Sequence, residues 1–223
     1  MRTHADRCNP FLRRPASPGS TGKTILIITE GGKTEPHYLI GLRNRLRLHA
    51  ADIRIAPAEG TDPLSVVTYA ISLRNGRGRE ARRGSGVPFD SVWAVFDTER
   101  ADLNPKLNDA LQKAQANRIN VALSNPCFEF WLLLHDEYTT APFEACAHVI
   151  RRIRDRYVGH YQKGKVPVER YIPKIPEAVL NAGQCRQYAI AADTDGNPST
   201  DVDLLIREMN DATRNHYRIN LRE

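Results

Sequence analysis

Four short apolar runs predict buried strands in the first half of the chain. They cover residues 24–29, 52–56, 91–96 and 119–123. The first and third are apolar and rich in β-branched residues almost throughout, which is typical of strands buried on both faces of a parallel sheet. The segments between them place apolar residues at helical spacing. This alternation of strands and helices predicts an α/β fold with helices on both faces of a parallel sheet.

The later part of the chain has mostly helical patterns, over 126–138, 142–157, 176–191 and 201–213. We therefore expect an α/β core at 24–138, built on a central parallel sheet of about four strands. A mostly helical C-terminal extension, 139–223, is expected to pack on that core. Residues 1–23 are polar and basic and predict a flexible arm. The Gly- and Arg-rich stretch at 75–88 predicts a long exposed loop.

Charge and length narrow the class of protein. The chain has 223 residues, with 32 Lys and Arg against 26 Asp and Glu, so its formal net charge is +6. A clustered basic excess favours a nucleic-acid partner. The longest apolar run, 128–134, contains Glu129 and is too short to span a bilayer, so no membrane partner is expected.

The four cysteines and the polar start of the chain indicate the cellular compartment. No apolar stretch follows Met1, and no two cysteines form a C-x-x-C pair. The sequence therefore predicts a cytoplasmic protein with reduced thiols and without a structural zinc site.

Acidic residues follow the two most strand-like segments. Glu30 ends the first strand before Gly31 and Gly32, and Asp97 and Glu99 follow the third. The carboxyl ends of parallel strands are where α/β proteins place their sites. Asp97 and Glu99 project to the same side and can share a divalent cation such as Mg²⁺ or Mn²⁺ with Glu30. The alternatives are that Glu30 transfers protons or favours a helix N-terminus, and that Asp97 caps the next helix.

A second group of candidates follows the fourth strand. Glu129 lies about 100° from the apolar face of the predicted helix at 126–138, and is expected to be a further metal ligand or else a helix N-terminal carboxylate. His135 lies on the apolar face of this helix and is expected to pack against the core. Lys163 lies in irregular sequence, where it can steady a scissile phosphate or simply be solvated. The residues expected to contact nucleic acid are Lys33, Arg151, Arg152, Arg154, Lys163 and Lys165.

The spacing of Gly32, Lys33 and Thr34 argues against a nucleotide-binding P-loop. Gly32, Lys33 and Thr34 follow a strand, but the motif requires a further glycine at position 27. That position is Ile27, inside the predicted strand. The acid at Glu30 would also oppose a bound phosphate.

The chain resembles the RloB-like proteins in four blocks, at 28–35, 95–99, 124–135 and 197–200. The block from Ser124 to His135 is the most specific. The arrangement is also similar to Toprim domains, which carry a Glu after the first strand and D-x-D after the third. The resemblance implies a metal-dependent nuclease of bacterial antiviral defence with Glu30, Asp97 and Glu99 as catalytic carboxylates. The positions of Glu129 and Lys163 add these two residues to the catalytic candidates. Related Toprim effectors cut transfer RNA, so the resemblance favours RNA slightly over DNA.

The sequence is also compatible with a second hypothesis, in which the protein is not an enzyme. Glu99 stands where the Toprim pattern has Asp, so the chain could be a nucleic-acid- or partner-binding subunit of a defence complex, with a dormant fold. Metal binding by the wild type and by Glu30→Gln would separate these readings. The sequence leaves a defence-system partner protein and a homo-oligomer open.

Overall fold

The computed structural model describes residues 22–50, 52–98, 106–156 and 161–221. The strands are β1 (Ile25–Thr29), β2 (Ile53–Pro57), β3 (Ser91–Asp97), β4 (Asn120–Asn125) and β5 (Ser199–Thr200). The α-helices are α1 (Thr34–Arg45), α2 (Pro63–Arg82), α3 (Lys106–Ala116), α4 (Glu129–Leu133), α5 (Cys146–Arg156), α6 (Val168–Tyr171), α7 (Ile175–Ala191) and α8 (Val202–Asp211). The predicted arm lies outside the described residues, apart from its last two positions.

The strands of the described residues form one sheet in the order β2-β1-β3-β4-β5. Strands β1 to β4 pair in parallel, as predicted. The short strand β5 adds to the edge of β4 in the antiparallel direction. The predicted α/β fold with a parallel sheet and a helical C-terminal part is therefore confirmed, with one short edge strand more than expected.

Successive apolar side chains of β1 and β3 point alternately into two separate hydrophobic cores, one on each face of the sheet. Ile25 and Ile27 point into the larger core, which contains side chains of α1 and of α4 to α8. Leu26 and Ile28 point into the smaller core, against α2 and α3. Since successive strand residues face opposite sides of a sheet, continuous apolar runs are required to fill both cores. Helices thus cover both faces of the sheet, as the sequence predicts.

Helix α2 contradicts the predicted loop at 75–88, because the helix continues to Arg82. The arginines of this stretch have a high helix propensity, which offsets the low helix propensity of Gly76 and Gly78. Tertiary contacts add to this preference: Arg77 Nε donates to the carbonyl of Val87 at 2.7 Å, and Arg74 donates to the carbonyl of Asn117. Only the part of this stretch after Arg82 is irregular.

Helix α4 is much shorter than the predicted helix at 126–138. Strand β4 continues through Asn125, and the Asn125–Pro126 peptide bond is cis. The helix spans only Glu129–Leu133 before a turn. Its side chains are nonetheless buried, as the apolar pattern of this segment indicates.

None of the described helices combines the length and the apolar character that a membrane span requires.

Candidate functional site

The first pair of acids meets where β1 and β3 end. The two strands are parallel neighbours, with Thr29 opposite Val95. The backbone N–H of Asp97 donates to Glu30 Oε2 at 3.1 Å, and the N–H of Glu30 donates to the carbonyl of Val95 at 2.9 Å. The sheet thus brings Glu30 and Asp97 to one edge, where sequence reasoning expected them.

A third acid, Glu35, joins this edge from the first turn of α1. Its Oε1 accepts a hydrogen bond of 3.2 Å from the backbone N–H of Gly31, and its side chain is buried. A Cβ at Gly31 would lie 2.3 Å from Glu35 Oε2, so glycine leaves the space that this carboxylate occupies. Sequence reasoning did not select Glu35 as a site residue, although the Glu-Gly-Gly-Lys-Thr-Glu stretch from 30 to 35 contains the signal.

Glu129 is the fourth acid and is 1% exposed. The hydroxyl of Tyr161 donates to its Oε1 at 3.2 Å, and Lys163 Nζ lies 3.9 Å from the same oxygen. The charge of Glu129 is among the causes that raise the pKa of Asp97 and the pKa of Glu35, so we group Glu129 with the acids of this edge. Tyr161 was not identified from the sequence, because its contact with Glu129 spans 32 positions.

Burial and mutual repulsion shift the proton affinities at this edge. Burial of the carboxyl group, followed by the charges of Glu35, Glu129 and Glu30, raises the pKa of Asp97 well above its usual range. Burial also raises the pKa of Glu35, and the charge of Glu129 adds to that effect. Burial, with the Glu129 charge second, raises the pKa of Tyr161, so its hydroxyl stays protonated and donates to Glu129. Burial and the neighbouring acids therefore disfavour the ionised forms of Asp97 and Glu35.

A tight turn at 161–165 carries Lys163 to the acids. Gly164 has a φ of +85°, and its N–H donates to Thr34 Oγ1 at 3.0 Å. An added Cβ at Gly164 would lie 3.0 Å from the Cβ of Lys33, so the turn packs closely on the start of α1. The side chain of Lys163 is 65% exposed, which leaves its ammonium accessible to a ligand.

The basic residues predicted to contact nucleic acid fall into two groups. Lys33 and Lys165 are exposed on or beside the turn at 161–165, near the acids. Arg152 is paired with Glu137, and Arg154 Nε donates to the carbonyl of Tyr161 at 3.2 Å. Arg151 is exposed on α5. Both lysines therefore have exposed side chains beside this turn, whereas two of the three arginines also hold α5 in place.

Glu99 lies outside the described residues. Its predicted role as a ligand therefore stays a prediction.

The prediction of reduced thiols is wrong for two cysteines. Cys127, before α4, forms a disulfide with Cys146, the first residue of α5. Their separation of 19 positions gives no C-x-x-C signal, and the two meet only because α4 and α5 pack together. Cys185 is a free, buried thiol.

His135 is a core histidine, as the apolar pattern indicates. Its Nε2 lies 3.1 Å from the hydroxyl of Tyr38, and its Nδ1 lies 2.9 Å from the carbonyl oxygen of Trp131. Complete burial lowers the pKa of His135 to about 4. The imidazole is therefore neutral at physiological pH.

This neutral imidazole predicts sensitivity to acid. The pKa of His135 in the folded state, about 4, lies below the ordinary value, so protons bind first to the unfolded chain as the pH falls. Between pH 7 and 5 this effect should remove about 2 kcal/mol of stability. Urea unfolding of wild type and His135→Gln should show a smaller pH dependence in the variant. His148→Gln, at a partly exposed position of α5, is the control, and equal pH dependence in all three proteins would contradict the prediction.

The fold and the site together define a class of protein. A mostly parallel sheet with helices on both faces, and acids at the ends of neighbouring strands, is a Toprim-like arrangement. The sequence model of the family described as RloB-like protein matches residues 25–209. The chain therefore belongs to the RloB-like family, as its sequence blocks indicate. No curated protein and no solved structure matches the chain.

Proposed function

We propose that this RloB-like protein is a divalent-metal-dependent nuclease. The observation that carries the proposal is the convergence of Glu30, Glu35, Asp97 and Glu129 on one sheet edge, with Lys163 beside them. Four acids sharing one edge repel one another, and a divalent cation relieves this repulsion.

The donor set fits Mg²⁺ or Mn²⁺. All four acids offer carboxylate oxygens, the ligand type that these ions prefer. Glu30, Asp97 and Glu129 would hold the ion, with Glu99 as a further candidate. When bound, such an ion activates water and neutralises charge that develops on a phosphate.

The remaining groups position the ligands and the substrate. The hydroxyl of Tyr161 fixes one oxygen of Glu129, and the N–H of Asp97 fixes one oxygen of Glu30. The exposed ammonium of Lys163 is suited to a substrate phosphate next to the acids. The exposed lysines near the turn at 161–165 extend this positive surface toward a nucleic-acid backbone.

The biological setting of the proposal rests on the family. We place the protein in the bacterial cytoplasm, in antiviral defence, and put RNA such as transfer RNA slightly ahead of DNA. A defence-system partner protein is compatible with this role.

The test is incubation of purified protein with total RNA and with plasmid DNA. Cleavage is expected with Mg²⁺ or Mn²⁺, is expected to stop in EDTA, and is expected to be lost in Glu30→Gln. Glu59→Gln is the matched control, since Glu59 is an exposed acid that follows the neighbouring strand β2. Cleavage that persists in EDTA would contradict the metal site. Metal binding without cleavage of either substrate would favour a non-catalytic binding subunit.

The two adjacent glycines provide a separate prediction about Glu35. A methyl group at Gly31 would meet the carboxylate of Glu35, whereas one at Gly32 has no heavy atom within 4 Å. Because a carboxylate at the end of a flexible side chain can move aside, Gly31→Ala should fold but displace Glu35 from the edge. Calorimetric titration should show that Gly31→Ala binds Mg²⁺ about tenfold more weakly than wild type, which corresponds to about 1.4 kcal/mol of binding free energy. Gly32→Ala should match wild type, and equal Mg²⁺ affinities for the two variants would remove Glu35 from the site.

A further inference from the structure

Two cysteines and an acid form a cluster next to the carboxylate edge. Sγ of Cys146 lies 3.3 Å from Glu129 Oε2, and Cys127 Sγ is bonded to Cys146 Sγ. One potential ligand atom from each of these residues lies within 4.8 Å of the others. A disulfide sulfur carries no proton, so the contact between Cys146 and Glu129 is not a hydrogen bond.

Reduction would change the chemistry of this cluster. A dithiol reductant, such as a cellular dithiol protein, supplies two electrons and two protons by thiol–disulfide exchange. The S–S bond breaks, Cys127 and Cys146 each gain an S–H, and the reductant becomes a disulfide. Two thiols and one carboxylate then surround a common point. These are ligands that Zn²⁺ takes in tetrahedral coordination, at about 2.3 Å for sulfur and about 2.0–2.2 Å for oxygen.

We propose that the reduced Cys127–Glu129–Cys146 cluster is a zinc site, separate in chemistry from the carboxylate edge. The separation of 3.3 Å between Cys146 Sγ and Glu129 Oε2 is close to the distance between two ligands of one tetrahedral zinc ion, about 3.6 Å. Binding releases the two thiol protons to water, and three protein ligands leave a fourth position for water.

The surroundings of the cluster favour a bound cation. Two thiolates and one carboxylate carry three negative charges, of which Zn²⁺ neutralises two. Lys163 Nζ, 3.9 Å from Glu129 Oε1, offsets part of the remainder. Cys146 is the first residue of α5, and a helix N-terminus stabilises a thiolate. Cys146 is also partly exposed, which gives an ion a way in.

The third described cysteine has none of these features. Cys185 is 1% exposed, and its Sγ lies 3.4 Å from the carbonyl oxygen of Thr139. Burial raises the pKa of Cys185 to about 11, so its thiol stays protonated. Cys185 is therefore the matched control for the two cysteines of the cluster.

The experiment is a metal titration of the full chain in two redox states, without nucleic acid. Protein reduced with a phosphine is titrated with Co²⁺, and the Co²⁺ is then displaced by Zn²⁺. We expect one equivalent of Co²⁺ per chain to give thiolate-to-cobalt charge-transfer absorption and the visible bands of tetrahedral Co²⁺. Oxidised protein should show neither signal.

Variants assign the ligands. Cys127→Ser and Cys146→Ser should lose the charge-transfer band or at least half of it, and should weaken Zn²⁺ binding by more than the about 10–100-fold that loss of an outer-shell partner causes. Glu129→Gln should weaken binding but keep the band, and Cys185→Ser should match wild type. Circular dichroism checks that each variant folds. If Cys127→Ser does not fold, the result for Cys146→Ser decides, because Cys146 is partly exposed.

Two results would overturn the zinc site. One is reduced wild type without a thiolate-to-metal band, and the other is Zn²⁺ binding that Cys146→Ser leaves unchanged. Because no cleavage is measured, neither result depends on the proposed nuclease function. If both proposals hold, Zn²⁺ should slow cleavage by reduced wild type but not by Cys146→Ser, since the two sites share Glu129.

Discussion

An Asp97→Asn protein is expected to lose cleavage of nucleic acid and to become more stable without metal. Asp97 is central to the carboxylate edge, where burial and three neighbouring acids raise its pKa. The amide keeps the size of the side chain but removes a negative charge and a metal ligand. Cleavage should fall by more than about 100-fold, the upper range for losing an outer-shell partner of a metal.

The stability of the same variant tests the electrostatics independently. A raised pKa means that the folded state binds the proton more tightly, so metal-free wild type should lose stability as the pH rises from about 4 through that pKa. The melting temperature of metal-free wild type, taken relative to that of metal-free Asp97→Asn, should therefore fall from pH 5 to pH 8, since the opposite effect of His135 is common to both proteins. Mg²⁺ should restore the wild type by mass action and should have little effect on the variant.

The control for both measurements is Glu59→Gln, which should behave as wild type. An Asp97→Asn protein that cleaves normally would remove Asp97 from the catalytic residues. A variant that is less stable than wild type without metal, at every pH, would show that the acids at this edge do not repel one another as their burial indicates.

The central part of the site could be predicted because it depends on local patterns. Glu30 follows one apolar strand and Asp97 is the last residue of another, and parallel strands end at the same edge. Once β1 and β3 are neighbours, the two acids meet without further information. The same reasoning recovers the two-sided core, since alternate residues of a buried strand face opposite layers.

Other parts of the site depend on contacts between distant segments. Tyr161 reaches Glu129 only when the turn at 161–165 docks on the start of α1. The Cys127–Cys146 disulfide requires α5 to lie against α4. The backbone N–H of Gly31 donates a hydrogen bond to Glu35 and holds its carboxylate at the edge. The sequence pattern does not predict this contact. Periodicity describes how a segment is buried but not which distant segment buries it.

Tertiary contacts also explain the errors in helix length. Helix α2 extends through a Gly- and Arg-rich stretch because Arg77 and Arg74 bond to carbonyls of other segments. Helix α4 is short although its apolar spacing is helical, because Asn125 still belongs to β4. The spacing of the apolar residues in this segment reflects which side chains are buried in the core. A short helix followed by a turn buries them as well as a continuous helix would.

The second large effect is expected at Arg186 of α7, which secures the edge strand β5. Its guanidinium makes two hydrogen bonds to Asp203, of 2.5 and 2.7 Å, and one of 2.6 Å to the carbonyl of Thr200. Asp203 is 1% exposed. Thr200 in turn contacts Ser124 of β4 through their hydroxyls, at 2.9 Å. Arg186 thus holds β5 and α8 against the strand that leads to Glu129.

Arg186→Ala should cost about 3 kcal/mol in the free energy of unfolding, measured with urea, because it leaves the carboxylate of Asp203 buried and unpaired. Lys106→Ala is the control, since the pair of Lys106 with Asp62 is solvent-exposed and should contribute less than about 1 kcal/mol. Replacing both partners, as Arg186→Met with Asp203→Leu, should recover much of the loss because no charge is then buried alone. If Arg186→Ala costs no more than Lys106→Ala, water reaches Asp203 and the pair does not hold β5 in place.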